Sequence, residues 1–307
     1  MAKDKKIGIN DIFPVVLMGV LFVFIQGLAL LVVSPFEAAG MEAFKNPDDP
    51  MNLIYIFLIL LVVTGVILLI ARFWKKRLIQ VFILLAIGYT AAYVFYPLFG
   101  LVVTELFSVF LSMATAVILV VMLFKYPEWY VIDICGIIVG AGAIAIFGIS
   151  LGIFLVIILL IGLAVYDAIS VYKTKHMIDL ADTVLDLKLP VMLVIPKIRH
   201  YSLIKETKSL KEKLKEGDER DAFFMGLGDV VMPGILVVAV YSNINNGLPI
   251  ALSVMIGTLI GFMILMIFVM KGKPQAGLPS LCGGAIAGYI ISSYLLFGKL
   301  AGLTFSF

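Results

Sequence analysis

Charge is what this chain has least of. Of its 307 residues only 14% are Asp, Glu, Lys or Arg, while 63% are hydrophobic. A soluble domain carries about 25% charged and about 45–50% apolar residues. A soluble globular enzyme is therefore excluded, and so are a disordered chain and a charged coiled coil. The net charge of +3 is too small for a nucleic-acid-binding surface. Cysteine is nearly absent. Cys135 and Cys282 both lie in apolar stretches, which leaves no disulfide framework and no thiolate metal cluster. The two histidines, His176 and His200, share one hydrophilic segment, and no His-Glu-x-x-His pattern occurs, so an intramembrane zinc protease is excluded. Nothing in the residues calls for a metal or a cofactor.

Long apolar runs fill the space that charge leaves. A bilayer-crossing helix takes about 20 apolar residues, and nine such runs can be read: 12–33, 53–71, 78–99, 101–124, 131–147, 151–172, 222–241, 248–270 and 278–298. The first is too long for a signal-peptide core and no cleavage site follows it, so it is expected to be a span. The stretch 131–172 is too long for one helix and is divided at the small residues Gly148–Gly152. The fold class expected is all-α, a polytopic membrane protein with nine transmembrane helices. The organisation expected is a six-helix part at 1–172, a hydrophilic loop at 173–221 and a three-helix part at 222–307.

Basic residues set the direction. Of the 23 Lys and Arg, all but Lys45 and Lys299 fall before the first span or after an even-numbered one. By the positive-inside rule the N-terminus is cytoplasmic and, with nine spans, the C-terminus external. Within the loop, 201–216 has the charge pattern of a surface helix. The apolar stretch 189–196, bounded by Pro190 and Pro196, is too short to span. It reads either as a segment packed on the membrane surface or as a lid over a cytoplasmic opening. Glycines four apart, Gly136/Gly140, Gly257/Gly261 and Gly284/Gly288, read as close helix packing.

Two acids do not belong in a bilayer. Glu105 and Asp133 fall near span ends and are expected to reach the interface, but Asp167 and Asp229 lie deeper, with no Lys or Arg beside them. A charge at mid-helix costs a few kcal/mol. At 1.5 Å per residue the two carboxyls lie about 9 and about 12 Å from the same side of the membrane, on antiparallel neighbouring spans. Two like charges 4 Å apart at an effective dielectric of 20 repel by about 4 kcal/mol, so such a pair shares one proton. One carboxylate then activates a water while the other, protonated, polarises a carbonyl. That is the chemistry of an aspartic protease. The competing Gly148-Ile149-Ser150-Leu151-Gly152 pattern lacks a strand–turn–helix context, and both histidines lie on the other side of the membrane.

Tyr166-Asp167 in a sixth span, with Gly226-Leu227-Gly228-Asp229 in a seventh, resembles the presenilin and signal peptide peptidase family of GxGD intramembrane aspartyl proteases. The family's third motif, Pro-Ala-Leu, corresponds to Ala276-Gly277-Leu278-Pro279, where Ala276 replaces the first proline and Gly277 the alanine. The resemblance implies Asp167 and Asp229 as the catalytic pair. It implies substrate contacts from Tyr166, Gly226, Leu227, Gly228, Gly277, Leu278 and Pro279, and transmembrane-helix peptides as substrates. A cytoplasmic N-terminus is presenilin-like, and the short loop is similar to that of a microbial homologue working in the cell membrane without accessory subunits. Partners would then be substrate and lipid, with self-association open. Two small residues beside Asp229 also leave room for a substrate backbone. The alternative is a proton- or cation-coupled transporter or channel using the paired acids. The lack of an inverted repeat counts against it.

Overall fold

The computed structural model describes residues 9–73, 76–174, 192–197, 201–202, 222–270 and 275–303. Nine α-helices occur among them: α1 (Ile9–Ala38), α2 (Met51–Phe73), α3 (Lys76–Gly100), α4 (Glu105–Lys125), α5 (Trp129–Ser150), α6 (Ile153–Ile169), α7 (Leu227–Asn243), α8 (Leu248–Met270) and α9 (Leu278–Phe297). Seven are long and apolar enough to cross a bilayer, and α2 and α7 add the shorter apolar stretches Met51–Val63 and Leu227–Asn243. The break expected at Gly148–Gly152 falls at Leu151–Gly152, where the Gly152 amide donates to the Pro47 carbonyl at 2.9 Å. The expected surface helix at 201–216 and residues 189–191 lie outside the described residues, apart from Tyr201 and Ser202.

A helix apolar on every side belongs inside a bundle, and α7 is that helix: Val230, Val231 and Ile235 to Val240 are all buried. It is packed by α1, α5, α6, α8 and α9, whereas α2, α3 and α4 form an outer group joined to the rest mainly through α5. The outer helices present Leu, Ile, Val and Phe side chains outward, Leu106, Phe107 and Phe110 of α4 among them. This is a surface suited to lipid.

The largest departure from the expected all-helical plan is a two-stranded antiparallel ribbon, β1 (Met192–Pro196) and β2 (Ala222–Gly226). Met192 pairs with Gly226, Val194 with Phe224 and Pro196 with Ala222. The seventh helix therefore starts at Leu227, five residues later than the apolar run at 222 indicates. At 17 residues, α7 is about 26 Å long, slightly less than the roughly 30 Å of a bilayer core. The extended residues of β2 lead directly into α7. Extended backbone next to a membrane helix is tolerated only when protein surrounds it, and Leu193, Val194, Ile195, Ala222 and Met225 are all buried. The 192–196 part of the apolar loop segment is thus a strand built into the bundle, not a segment lying on the membrane surface.

Glycine sets the tightest helix contact. On α8 and α9, a Cβ at Gly257 would run into the Gly284 carbonyl, one at Gly261 into the Ser280 carbonyl, and one at Gly288 into the Ser253 carbonyl at 2.5 Å. The two helices touch backbone to backbone, which fixes the start of α9.

Candidate active site

The site forms where α6 ends and where α7 and α9 begin. Helix α6 passes into a π-helical turn at Ser170–Thr174, and Asp167 lies on its last regular turn, only 3% exposed. Its Oδ2 accepts the Leu278 amide at 3.0 Å, and the Gly277 amide interacts with the same carboxyl. These are among the amides that a helix start leaves without a partner inside the helix, so the first turn of α9 is joined to Asp167.

Asp229 is the third residue of α7, in its first turn. The residue as a whole is half-buried, and its carboxyl lies within electrostatic reach of Asp167. The deep mid-helix position expected from a span starting at 222 is corrected by the ribbon: Asp229 sits at a helix start, directly after extended backbone. Two glycines flank it. A Cβ on Gly277 would lie 3.0 Å from Asp229 Oδ2, and one on Gly226 would lie 3.5 Å from the same oxygen. Gly277 is also the residue preceding the first helical turn of α9, with Pro279 just inside it.

The structure thus brings Asp167, Asp229, Gly226, Gly277 and Leu278 together. Gly228 is exposed, and nothing lies within 4 Å of where its Cβ would be. Leu227 points elsewhere: its Cδ1 lies 3.2 Å from the Cβ position of Gly140 and 3.7 Å from that of Gly136, against α5. Tyr166 is 70% exposed, so it and Asp167 point to different sides of α6. Pro279 is half-buried.

Three further residues bear on the site and were not assigned to it from the sequence. Cys282, a turn beyond Leu278, is buried within electrostatic reach of both carboxyls. The Tyr172 hydroxyl donates to Gln275 Oε1 at 2.8 Å, tying the end of α6 to the segment before α9. Asp133 was expected to reach the interface but is buried, 6% exposed, and its Oδ1 accepts the Val194 amide at 2.8 Å. No local sequence signal marks Tyr172 or Asp133, because each partner is distant in the chain.

A family model described as signal-peptide peptidase, presenilin aspartyl protease matches residues 19–298. The chain belongs to this family. Two solved structures of a presenilin family intramembrane aspartate protease are similar to it. The one in space group C222 is 35% identical, over 93% of this chain and 99% of the other, with a TM-score of 0.66. The one in space group P2 is 36% identical, over 92% and 98%, with a TM-score of 0.68. No curated protein sequence matched. As a presenilin-type protein the chain is an integral, multi-pass membrane hydrolase acting on peptide bonds.

Proposed function

We propose that Asp167 and Asp229 are the catalytic pair of an intramembrane endopeptidase that cuts within transmembrane helices. The observation that carries this reading is their arrangement: two carboxyls within electrostatic reach on neighbouring helices, with Gly226 and Gly277, which add no side chain of their own, beside Asp229. The pair holds one proton. The ionised member takes a proton from water as that water attacks the scissile carbonyl, and the protonated member donates a hydrogen bond to the carbonyl oxygen. The negative charge of the pair lies near the positive ends of α7 and α9, which stabilise it.

A helical substrate has no free backbone groups at its scissile bond, so it must unwind first. The ribbon offers the unwound chain partners. The Val194 amide points to Asp133 and therefore away from β2, so Val194 and Phe224 face each other without exchanging ladder bonds. Phe224 then directs its own N–H and C=O away from β1. A substrate strand added along that edge would run toward Gly226 and bring a peptide bond up to Asp229. Gly228, Leu278 and Pro279 adjoin the same space, and the exposed Tyr166 lies outside it. With the basic ends inside the cell, cutting takes place in the cytoplasmic half of the membrane.

The test is purified protein in sealed liposomes with a labelled single-span helical substrate, and the fragments identified by mass. Cleavage inside the membrane-spanning stretch, independent of any ion gradient, is the expected outcome. Gradient-driven proton or cation flux without fragment release would instead establish the transporter reading.

A further inference from the structure

Apart from Asp167, Asp133 is the one buried acid among the described residues, and the proposed chemistry does not use it. It belongs to one face of α5 together with Gly136 and Gly140, at i, i+3 and i+7. Each of the three touches what leads to the dyad. Asp133 holds the Val194 amide at the middle of β1. The Cβ position of Gly136 lies 3.4 Å from Leu193 Cδ2 of the same strand, and that of Gly140 lies 3.2 Å from Leu227 Cδ1 at the start of α7. Helix α5 is therefore a platform that seats both the ribbon and the first residue of the helix carrying Asp229.

We propose that Asp133 is a positioning residue: by holding Val194 it fixes the β1–β2 ribbon against α5 and so sets which substrate peptide bond is presented to Asp229. The path is short. Val194 pairs with Phe224 and Met192 with Gly226, and Gly226 precedes the first turn of α7, three residues from Asp229. Asp133 also takes the Val194 donor on the outer edge of β1, where Pro196 has none to offer. A substrate strand can then add only to β2, and a strand adding on one side has one set of registers. The geometry needs an acceptor and nothing else, because the group it meets is an N–H donor.

This inference rests on the protease reading, and the experiment separates the two. Fragments from one single-span substrate are compared by mass for wild type, Asp133→Asn, Asp133→Ala and Val194→Pro. Proline removes the same donor on a side of the strand that makes no ladder bond. Asp133→Ala and Val194→Pro are expected to spread cleavage to bonds on either side of the wild-type position and to lower kcat/KM about 10- to 100-fold, the scale of a misplacement near 1 Å. Asp133→Asn, which keeps a carbonyl acceptor, is expected to restore the wild-type fragment pattern. A merely structural role would change the amount of product and leave its masses alone. An unchanged fragment pattern in both Asp133→Ala and Val194→Pro overturns the proposal. So does an Asn variant as scattered as Ala, or a loss of folded protein in both Asp133→Ala and Val194→Pro. Absence of any fragment with wild type is the failure of the protease reading itself.

Discussion

Two glycines, Gly226 and Gly277, stand beside the Asp229 carboxyl, and that decides what substitutions there do. At Gly277 a Cβ comes within 3.0 Å of Asp229 Oδ2, and a branched side chain there must displace the carboxyl. Gly277→Val is expected to lower kcat by about 100-fold, the scale of an ångström-sized displacement. Gly226→Ala, whose Cβ makes ordinary contact at 3.5 Å, is expected to stay within about fivefold of wild type, a much smaller positional cost. Gly228 meets nothing, so Gly228→Leu is expected to leave thermal stability unchanged and to raise KM, by occupying the space assigned to substrate. Steady-state kinetics with a thermal melt for each variant checks all three. A proton shared by the proposed pair would give a pH signature. Acid adds a second proton and removes the base, and alkali removes the proton that polarises the carbonyl, so the rate follows a bell whose two limbs belong to the pair. A pH–rate profile that is flat on both sides contradicts a shared proton. At this scale the nearness of Asp167 and Asp229 was legible in the sequence, because an unpaired acid inside an apolar run is costly and therefore conspicuous; their catalytic role is what the variants test. Asp133 was misread because its partner, Val194, is 61 residues away, and depth along one helix says nothing about a strand folding back onto it.

The elements divide along the same line. The run at 248–270 coincides with α8 because it is uniformly apolar, bounded by Gly247 and by Lys271. The run beginning at 222 misleads, since Ala222-Phe223-Phe224-Met225 is apolar and short, and such a run fits a buried strand as well as a helix turn. What ends the strand is the pair of glycines around Leu227. Glycine spacing foretold close packing but not which helices meet. On α8 and α9 the contact is backbone to backbone, so Gly257→Val and Gly284→Val have no room to relax. Overpacking of this kind costs about 1–3 kcal/mol. The expected outcome is a lower melting temperature together with weaker cleavage, because the start of α9 that presents Leu278 to Asp167 is held by that contact. Gly27→Ala on α1, where nothing lies within 4 Å, is the matched control and should melt no lower than wild type.

Across the whole molecule, the two ends of the bundle do different work. The dyad lies at one end. At the other, the tail after α9 turns back into the core: the Tyr289 hydroxyl donates to the Ala301 carbonyl at 2.7 Å, and Ser293 Oγ accepts the Ala301 amide at 2.7 Å while donating to the Lys299 carbonyl at 2.9 Å. Gly302, at φ +77, sits against Ile153 at the start of α6 and Ile244 just past the end of α7. Tyr289→Phe leaves the Ala301 carbonyl without this donor, which costs about 1–3 kcal/mol for a buried group. Because it acts far from the dyad, the variant is expected to melt earlier and to cut at the same bond, as a melt and a fragment mass spectrum will show. None of this tail packing was visible in the sequence, where Tyr289 is one aromatic in an apolar run. The central claim is that two carboxyls act as one catalytic unit, and the most direct measurement is fragment release by Asp167→Ala, Asp229→Ala and the double variant, each confirmed folded by its melt. If the claim holds, either single substitution removes cleavage as completely as both together. Substantial release by a folded single variant, or losses that add stepwise from single to double, would contradict it.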